Sequence, residues 1–286
     1  MEDAAMGRWE GIRDLLSDTG RDWDRRIFRF QALAVAGAQL RFADTWSRAE
    51  PESADAITLL AHVEAVRSMI VSHAEGQVLR EAAWRTCHAA AAAYPEDPSP
   101  WVVLLSLLRF HAPDWGALKE IWGEVSARDP YNREAHHEVL TYLFQRNHGR
   151  AGEMFQWAQD RAETAPRGLP IAVLPLVALA ESHRQRLEID SSAYGLTIHP
   201  WIDCPYIDRV LEGWWHYRAP HPHAQFAEDA NYLAHALSLA NRHKEAWEVF
   251  EAIGPYACDR PWSYCGDAQA LFLRHRRWAQ NAITSR

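Results

Sequence analysis

PEDPSPWVVLLSLLRFHAPDWGALKEIWGEVSARDP, residues 95–130, reads as one helical hairpin closed at each end by a proline turn. After Pro95 comes Trp101, then Leu104, Leu105 and Leu108 at helical spacing. His111-Ala112-Pro113-Asp114 breaks the period, and Trp115, Leu118, Ile121, Trp122 and Val125 resume it. Ala117 falls where paired helices would approach most closely. The ends recur along the chain. Ala93-Tyr94-Pro95-Glu96, Arg128-Asp129-Pro130-Tyr131 and Ala165-Pro166-Arg167 set prolines 35 and 36 residues apart. A helix-turn-helix repeat of the TPR kind has a period of about 34 residues and ends in such a proline. Proline suits that place because it lacks an N–H and cannot continue the helix before it.

Outward from this stretch the pattern repeats. Val139, Leu140 and Leu143, then Asn147-His148-Gly149, then Met154, Phe155 and Ala158 outline a second hairpin. Tyr232, Ala236, Leu237 and Leu239, the turn Asn241-Arg242-His243, then Ala246, Val249 and Phe250 outline a third near the C-terminus. Asn241 stands where glycine is usual, and asparagine is the next most tolerant of a left-handed turn. On the other side, Ala49-Glu50-Pro51-Glu52 opens a helix through Ile57, Leu59, Leu60, Val63, Val66 and Ile70. Pro51 precedes Pro95 by 44 residues, which predicts an enlarged turn near Ser72–Gly76.

The expected fold is therefore all-α, a TPR-like α-solenoid of antiparallel helix hairpins. A short amphipathic helix cannot bury its apolar stripe alone, so each hairpin needs its neighbours. A single elongated domain over 1–286 is expected. Capping helices occupy 1–50, central repeats 51–187, an irregular insertion 188–205 and C-terminal repeats 206–286. The caps are helices over 7–17, around Trp23, Ile27, Phe28, Leu33 and Val35, and around Leu40, Phe42 and Trp46. The insertion carries Gly195, Pro200 and Pro205, and a helix over Tyr206–Tyr217 follows it.

A formal charge of −8 and a pI near 6.0 argue against a nucleic-acid surface. Arg274-His275-Arg276-Arg277 reads as a solvated helix face. The most apolar run, 169–180, is too short to cross a bilayer and contains Pro170 and Pro175. Met1-Glu2-Asp3 is acidic and unlike a targeting segment. Cys87, Cys204, Cys258 and Cys265 form no disulfide framework. A cytoplasmic protein with reduced thiols, bound to neither membrane nor nucleic acid, is the expectation.

Catalytic signatures are missing. The sequence has no glycine-rich phosphate loop and no Gly-x-Ser-x-Gly elbow. His136-His137-Glu138 lacks the second histidine of a zinc-protease helix, whose places are taken by Leu140 and Thr141. His221-x-His223, with Cys204, His216, Cys258 and Cys265, is spaced too widely for a zinc knuckle. No metal, cofactor or catalytic residue is expected. Of the fourteen tryptophans, Trp101, Trp122, Trp157 and Trp247 sit at core spacing. Trp201, Trp214, Trp215 and Trp262 fall in the irregular C-terminal part, where partial burial or a partner-binding aromatic cluster is expected.

The first helix of each hairpin would line a concave face. Counting from each proline gives one column of Thr58, Val102, His137, Val173 and Asn231. One turn on come His62, Ser106, Thr141, Val177 and His235, and then Val66, Phe110 (beside Arg109), Gln145 and Glu181. The candidate groove residues are His62, Arg109, His137, Thr141, Gln145, Glu181 and His235.

The segment Trp46–Arg67, with Ala49-Glu50-Pro51-Glu52-Ser53-Ala54-Asp55-Ala56, resembles a bacterial TPR-like domain-of-unknown-function family. So does Arg128-Asp129-Pro130 followed by Ala135-His136, Leu140-x-Tyr142-Leu143 and Glu153-Met154-Phe155-x-x-Ala158. The likeness spans residues 10–190. That family carries Cys, Lys and Trp in the turn after the Tyr-Leu pair, where this chain has Phe144-Gln145-Arg146-Asn147-His148. The resemblance implies an α-solenoid and supplies no activity. The functional expectation is a non-catalytic interaction protein that takes a peptide or protein partner in its groove. The alternative is an enzyme or small-molecule-binding protein, with His62, His137 or Glu181 as acid or base in an enclosed pocket.

Overall fold

In a computed structural model of the chain, residues 8–110, 114–146, 151–189 and 200–284 are described. Among them the protein is all-α, with 14 helices and no strand. The chain forms two compact units, 1–146 and 147–286.

The first unit holds α1 (Glu10–Thr19), α2 (Trp23–Gly37), α3 (Phe42–Ala49), α4 (Ala54–Ile70), α5 (His73–Ala93), α6 (Ser99–Leu108), α7 (Trp115–Arg128) and α8 (Arg133–Arg146). Helix starts are written in short polar side chains that accept orphan backbone N–H groups. Asp22 caps α2, Ser53 caps α4, Asp114 caps α7 (2.9 Å to the Ala117 N–H) and Asn132 caps α8 (2.9 Å to the Ala135 N–H). Pro100 occupies the first turn of α6, where its missing N–H removes nothing.

The hairpin α4–α5 corrects one expectation. Only Val71 and Ser72 separate the two helices, so there is no enlarged turn; the extra residues lengthen the helices to 17 and 21. Gly76 permits this tight return, because a Cβ there would stand 2.6 Å from the Ser68 carbonyl oxygen.

Helices α4 and α5, and α6 and α7, pack as pairs; α4 also touches α6, and α6 touches α8. Helix α2 packs on α4 and reaches α6 and α8 as well. Leu16, Phe30, Ala34, Phe42, Trp46, Leu59 and Val63 form the core beneath it. Arg26 of α2 lies within this interior at 3% exposure. It donates to Asp97 (2.9 Å), Asp55 and the Leu16 carbonyl, and its guanidinium lies 5.0 Å from the Phe30 ring centre. Asp97 also accepts the Ser99 N–H (2.7 Å), so one buried carboxylate fixes both α2 and the start of α6. Arg67 of α4 binds Asp44 (2.7 Å) and the carbonyls of Gly37, Ala38 and Leu40, holding the α2–α3 turn.

The second unit holds α9 (Ala151–Thr164), a 3-10 turn (Pro170–Val173), α10 (Leu174–Ile189), α11 (Pro205–Gly213), α12 (Phe226–Leu239), α13 (His243–Ile253) and α14 (Ala268–Thr284). Helix α9 pairs with α10, α12 with α13 and α13 with α14, while α10 touches α12 and α12 touches α14. The α12–α13 turn matches its sequence reading. Asn241 has a φ of 60°, the Arg242 N–H donates to Leu237 O (2.9 Å) and the Asn241 N–H to Ser238 O (3.2 Å). That pair of bonds is a Schellman C-cap.

The tryptophans reverse expectation. Trp201, Trp214, Trp215 and Trp262 are 0–2% exposed, whereas Trp101, Trp122, Trp157 and Trp247 are only partly buried. These four indoles are part of the core of the second unit, and no exposed cluster forms from them. Within the expected insertion 188–205, residues 190–199 lie outside the described ones, as does the Asn147-His148-Gly149 turn. No described helix is long and apolar enough to cross a membrane.

Candidate functional site

Two polar clusters contain the groove residues, one in each unit. In the first, Arg109 ends α6 and its guanidinium lies 3.8 Å from a carboxylate oxygen of Glu138 on α8. Glu138 is 14% exposed, and burial pushes its carboxyl up to about 7. Arg109 opposes this rise and Glu134, one turn earlier on α8, adds to it. Glu134 is itself held by Gln31 of α2 (2.7 Å) and Arg133 (3.2 Å). Next to Arg109, the Phe110 ring stays 42% exposed and has two guanidiniums over it, Arg80 at 5.3 Å and Arg109 at 5.4 Å. His137 and Thr141 are half-buried on α8 beside Glu138. The Gln145 side chain lies outside the described residues.

His62 is elsewhere. It is 6% exposed and stacked on Phe30 of α2 (5.3 Å, 12° between planes), and burial drives its imidazole down to about 3. Phe30 of α2 thus covers the face of α4 that carries His62. His62 is a neutral core group and lines no open surface.

In the second unit Glu181 of α10 accepts from the Tyr264 hydroxyl and from Arg184 Nε (3.1 Å). Tyr264 shares a further hydrogen bond with Tyr232 of α12. Burial, with the Glu181 charge added, lifts both phenols above their ordinary range. The result is a chain of protonated donors ending on one carboxylate. His235 lies deeper, 3% exposed between the indoles of Trp201 (5.3 Å) and Trp262 (5.0 Å), and burial holds it near 3. It too lines no open surface.

The chain matches no family model and shows no similarity to a curated protein. The site therefore stands on its own geometry. Glu138 titrates near neutrality beside a guanidinium, which equips it to bind a cation or exchange a proton. Sequence reading passed over Glu138 in favour of its neighbour His137; the signal available was the Glu134–Glu138 spacing of one helical turn. Tyr264 lies in the short 3-10 turn Trp262–Cys265, outside any helical period, and carried no signal. Among the described residues no group of three or more His, Cys, Asp and Glu is arranged to hold a metal ion.

Two grooves in the second unit involve other residues. One of about 530 Å³ runs between Pro255–Asp259 and α14, floored by Phe272. The other, about 300 Å³, is rimmed by Gln159, Glu163, Arg167 and Arg209. Neither contains Glu181 or His235.

Proposed function

We propose that the chain is a non-catalytic, TPR-like interaction protein that binds a peptide or protein partner. The pairing of α4 with α5 and α6, and of α6 with α7 and α8, is the neighbour scheme of stacked hairpins and supports this reading. So do the pairings among α12, α13 and α14. The binding surface of the first unit is then the C-terminal end of α6, at Arg109 and Phe110. The observation that carries the reading is Phe110, an exposed ring between the Arg80 and Arg109 guanidiniums. An aromatic ring flanked by two cations suits a segment bearing a carboxylate beside an apolar side chain. Panning a displayed peptide library against the full chain tests this. Acidic peptides should enrich, and their affinity should fall at least tenfold on Phe110→Ser or Arg109→Ala and stay unchanged on Lys244→Ala in the other unit. Peptides indifferent to both substitutions count against this surface.

The rival reading, a small-molecule or enzymatic site, is favoured by Glu138 alone, whose carboxyl is poised near physiological pH. A thermal-shift screen with small amines and carboxylates separates the two. A hit that Glu138→Gln abolishes, with peptide binding intact, favours the small molecule.

A further inference from the structure

We propose that the contact of α10, α12 and α14 in the second unit is an acid-operated latch. Below neutrality His183, His235 and His275 take up protons together and the three helices part. Each imidazole comes from a different helix, and they are 5%, 3% and 6% exposed. Aromatic rings flank two of them. His235 lies between Trp201 and Trp262, and Trp262 is 5.6 Å from His275, which is 5.0 Å from Trp278. Among the described residues, His183 Nε2, His235 Nδ1 and His275 Nδ1 have no hydrogen-bond partner, nor do the Ser182 and Ser238 hydroxyls. A ring so placed is tolerated only uncharged, because no acceptor meets the N–H that protonation would add.

The surrounding charges deepen the penalty. After burial itself, His183 is lowered by Arg186, His275 by Arg274 and His243, and His235 by His275 and His183. Carboxylates on the packed elements are engaged elsewhere. Glu181 holds Tyr264 and Arg184, Glu188 holds Arg184, and Asp229 pairs with His223 (2.8 Å). Asp208 of α11 and Glu245 of α13 both hold Arg242, and Asp267 caps α14 at the Ala270 N–H (2.7 Å). Glu228 acts on Tyr232 and Glu248 on Arg218, while Glu212 and Glu251 are exposed. The 3-10 turn Pro170–Val173 carries no titratable side chain.

Cooperation follows from sharing one contact. Parting the helices for one imidazole hydrates all three, and each then titrates near the ordinary value of about 6.5. Well below that pH the opening equilibrium climbs toward ~1,000-fold per pH unit, the third power of proton concentration.

Hydrogen exchange of the full chain from pH 7.5 to 4.5, corrected for intrinsic rates, tests the latch. Amides of α10, α12 and α14 should lose protection with a slope approaching three protons, while those of α4 and α6 keep a slope near or below one. His235→Gln and His275→Gln should each lower the second unit's slope by about one proton, and His183→Gln should lower it by less. If a variant does not fold, the wild-type slopes decide alone. Equal slopes in the two units, or a slope near one in the second, overturn the proposal. Unchanged slopes in all folded variants do so as well.

Discussion

The two units bury polar groups by opposite means. The first buries charge and pairs it: Arg26 with Asp97 and Asp55, and Arg67 with Asp44. The second buries neutral rings: His183, and His235 and His275 set among Trp201, Trp262 and Trp278. Ion pairs keep their hydrogen bonds until a carboxylate is protonated, in strongly acidic solution. Neutral imidazoles come under pressure as soon as the unfolded chain binds protons, near pH 6.5. Identical architecture, helices packed on helices, thus exposes the first unit to mild acid through one buried imidazole, His62, and the second through three.

The sharpest break of this contrast is Arg26→Ala, which strands Asp97 and Asp55 without their cation. Removing one partner of a buried pair costs about 3–5 kcal/mol, and urea denaturation followed by exchange in α2, α4 and α6 should show it. Protection in α12 and α14 should not change. Arg26→Met with Asp97→Leu should recover much of the loss, since an apolar pair of similar volume avoids the stranded charge.

His62 is the point at which the first unit behaves like the second. Its folded value of about 3 lies below the unfolded 6.5. The unfolded chain therefore binds the proton first, and stability complete above pH 6.5 is lost as pH falls toward 3. At pH 4 the loss should be about 3 kcal/mol. His62→Phe, which keeps a ring against Phe30, should remove that acid slope in thermal melts recorded from pH 7 to 4.

Glu138 runs the other way. Its folded value of about 7 exceeds the unfolded 4.5, so the folded chain holds the proton longer. Stability is complete below pH 4.5 and declines as pH rises through 7, by about 2–3 kcal/mol. Glu138→Gln should flatten this decline and raise the melting temperature at pH 8 more than at pH 5. The smallest effect belongs to Asn241. Asn241→Ala forces an alanine into the left-handed turn and should cost about 1 kcal/mol, read as a small shift in the denaturation midpoint, whereas Asn241→Gly should be near neutral.

Turn chemistry was the most legible part of the sequence. The prolines at 95, 130 and 166 fall between helices, and Asn241 adopts the left-handed conformation that its type tolerates. Burial was less legible, because periodicity reports which side of a helix is apolar and says nothing of what covers it. Trp101 and Trp122 keep perfect spacing yet remain partly exposed. Trp201 and Trp262 lie outside the period, yet α10, α12 and α14 enclose them. Column counting meets the same limit: His62 is stacked on Phe30 and His235 lies between Trp201 and Trp262, covers that no local spacing announces. The Arg109–Glu138 pair joins α6 to α8 across 29 residues, a distance at which local pattern carries no information.

The bond from Gln31 to Glu134 spans 103 residues. During synthesis α2 leaves the ribosome long before α8, and it must wait with its apolar stripe uncovered while the intervening hairpins emerge. Arrays whose members touch only adjacent members can be shortened from one end at modest cost. Here, deleting the leading helices would remove the contacts of α2 with α4, α6 and α8 at once, so the chain's beginning is a structural requirement for residues translated a hundred codons later.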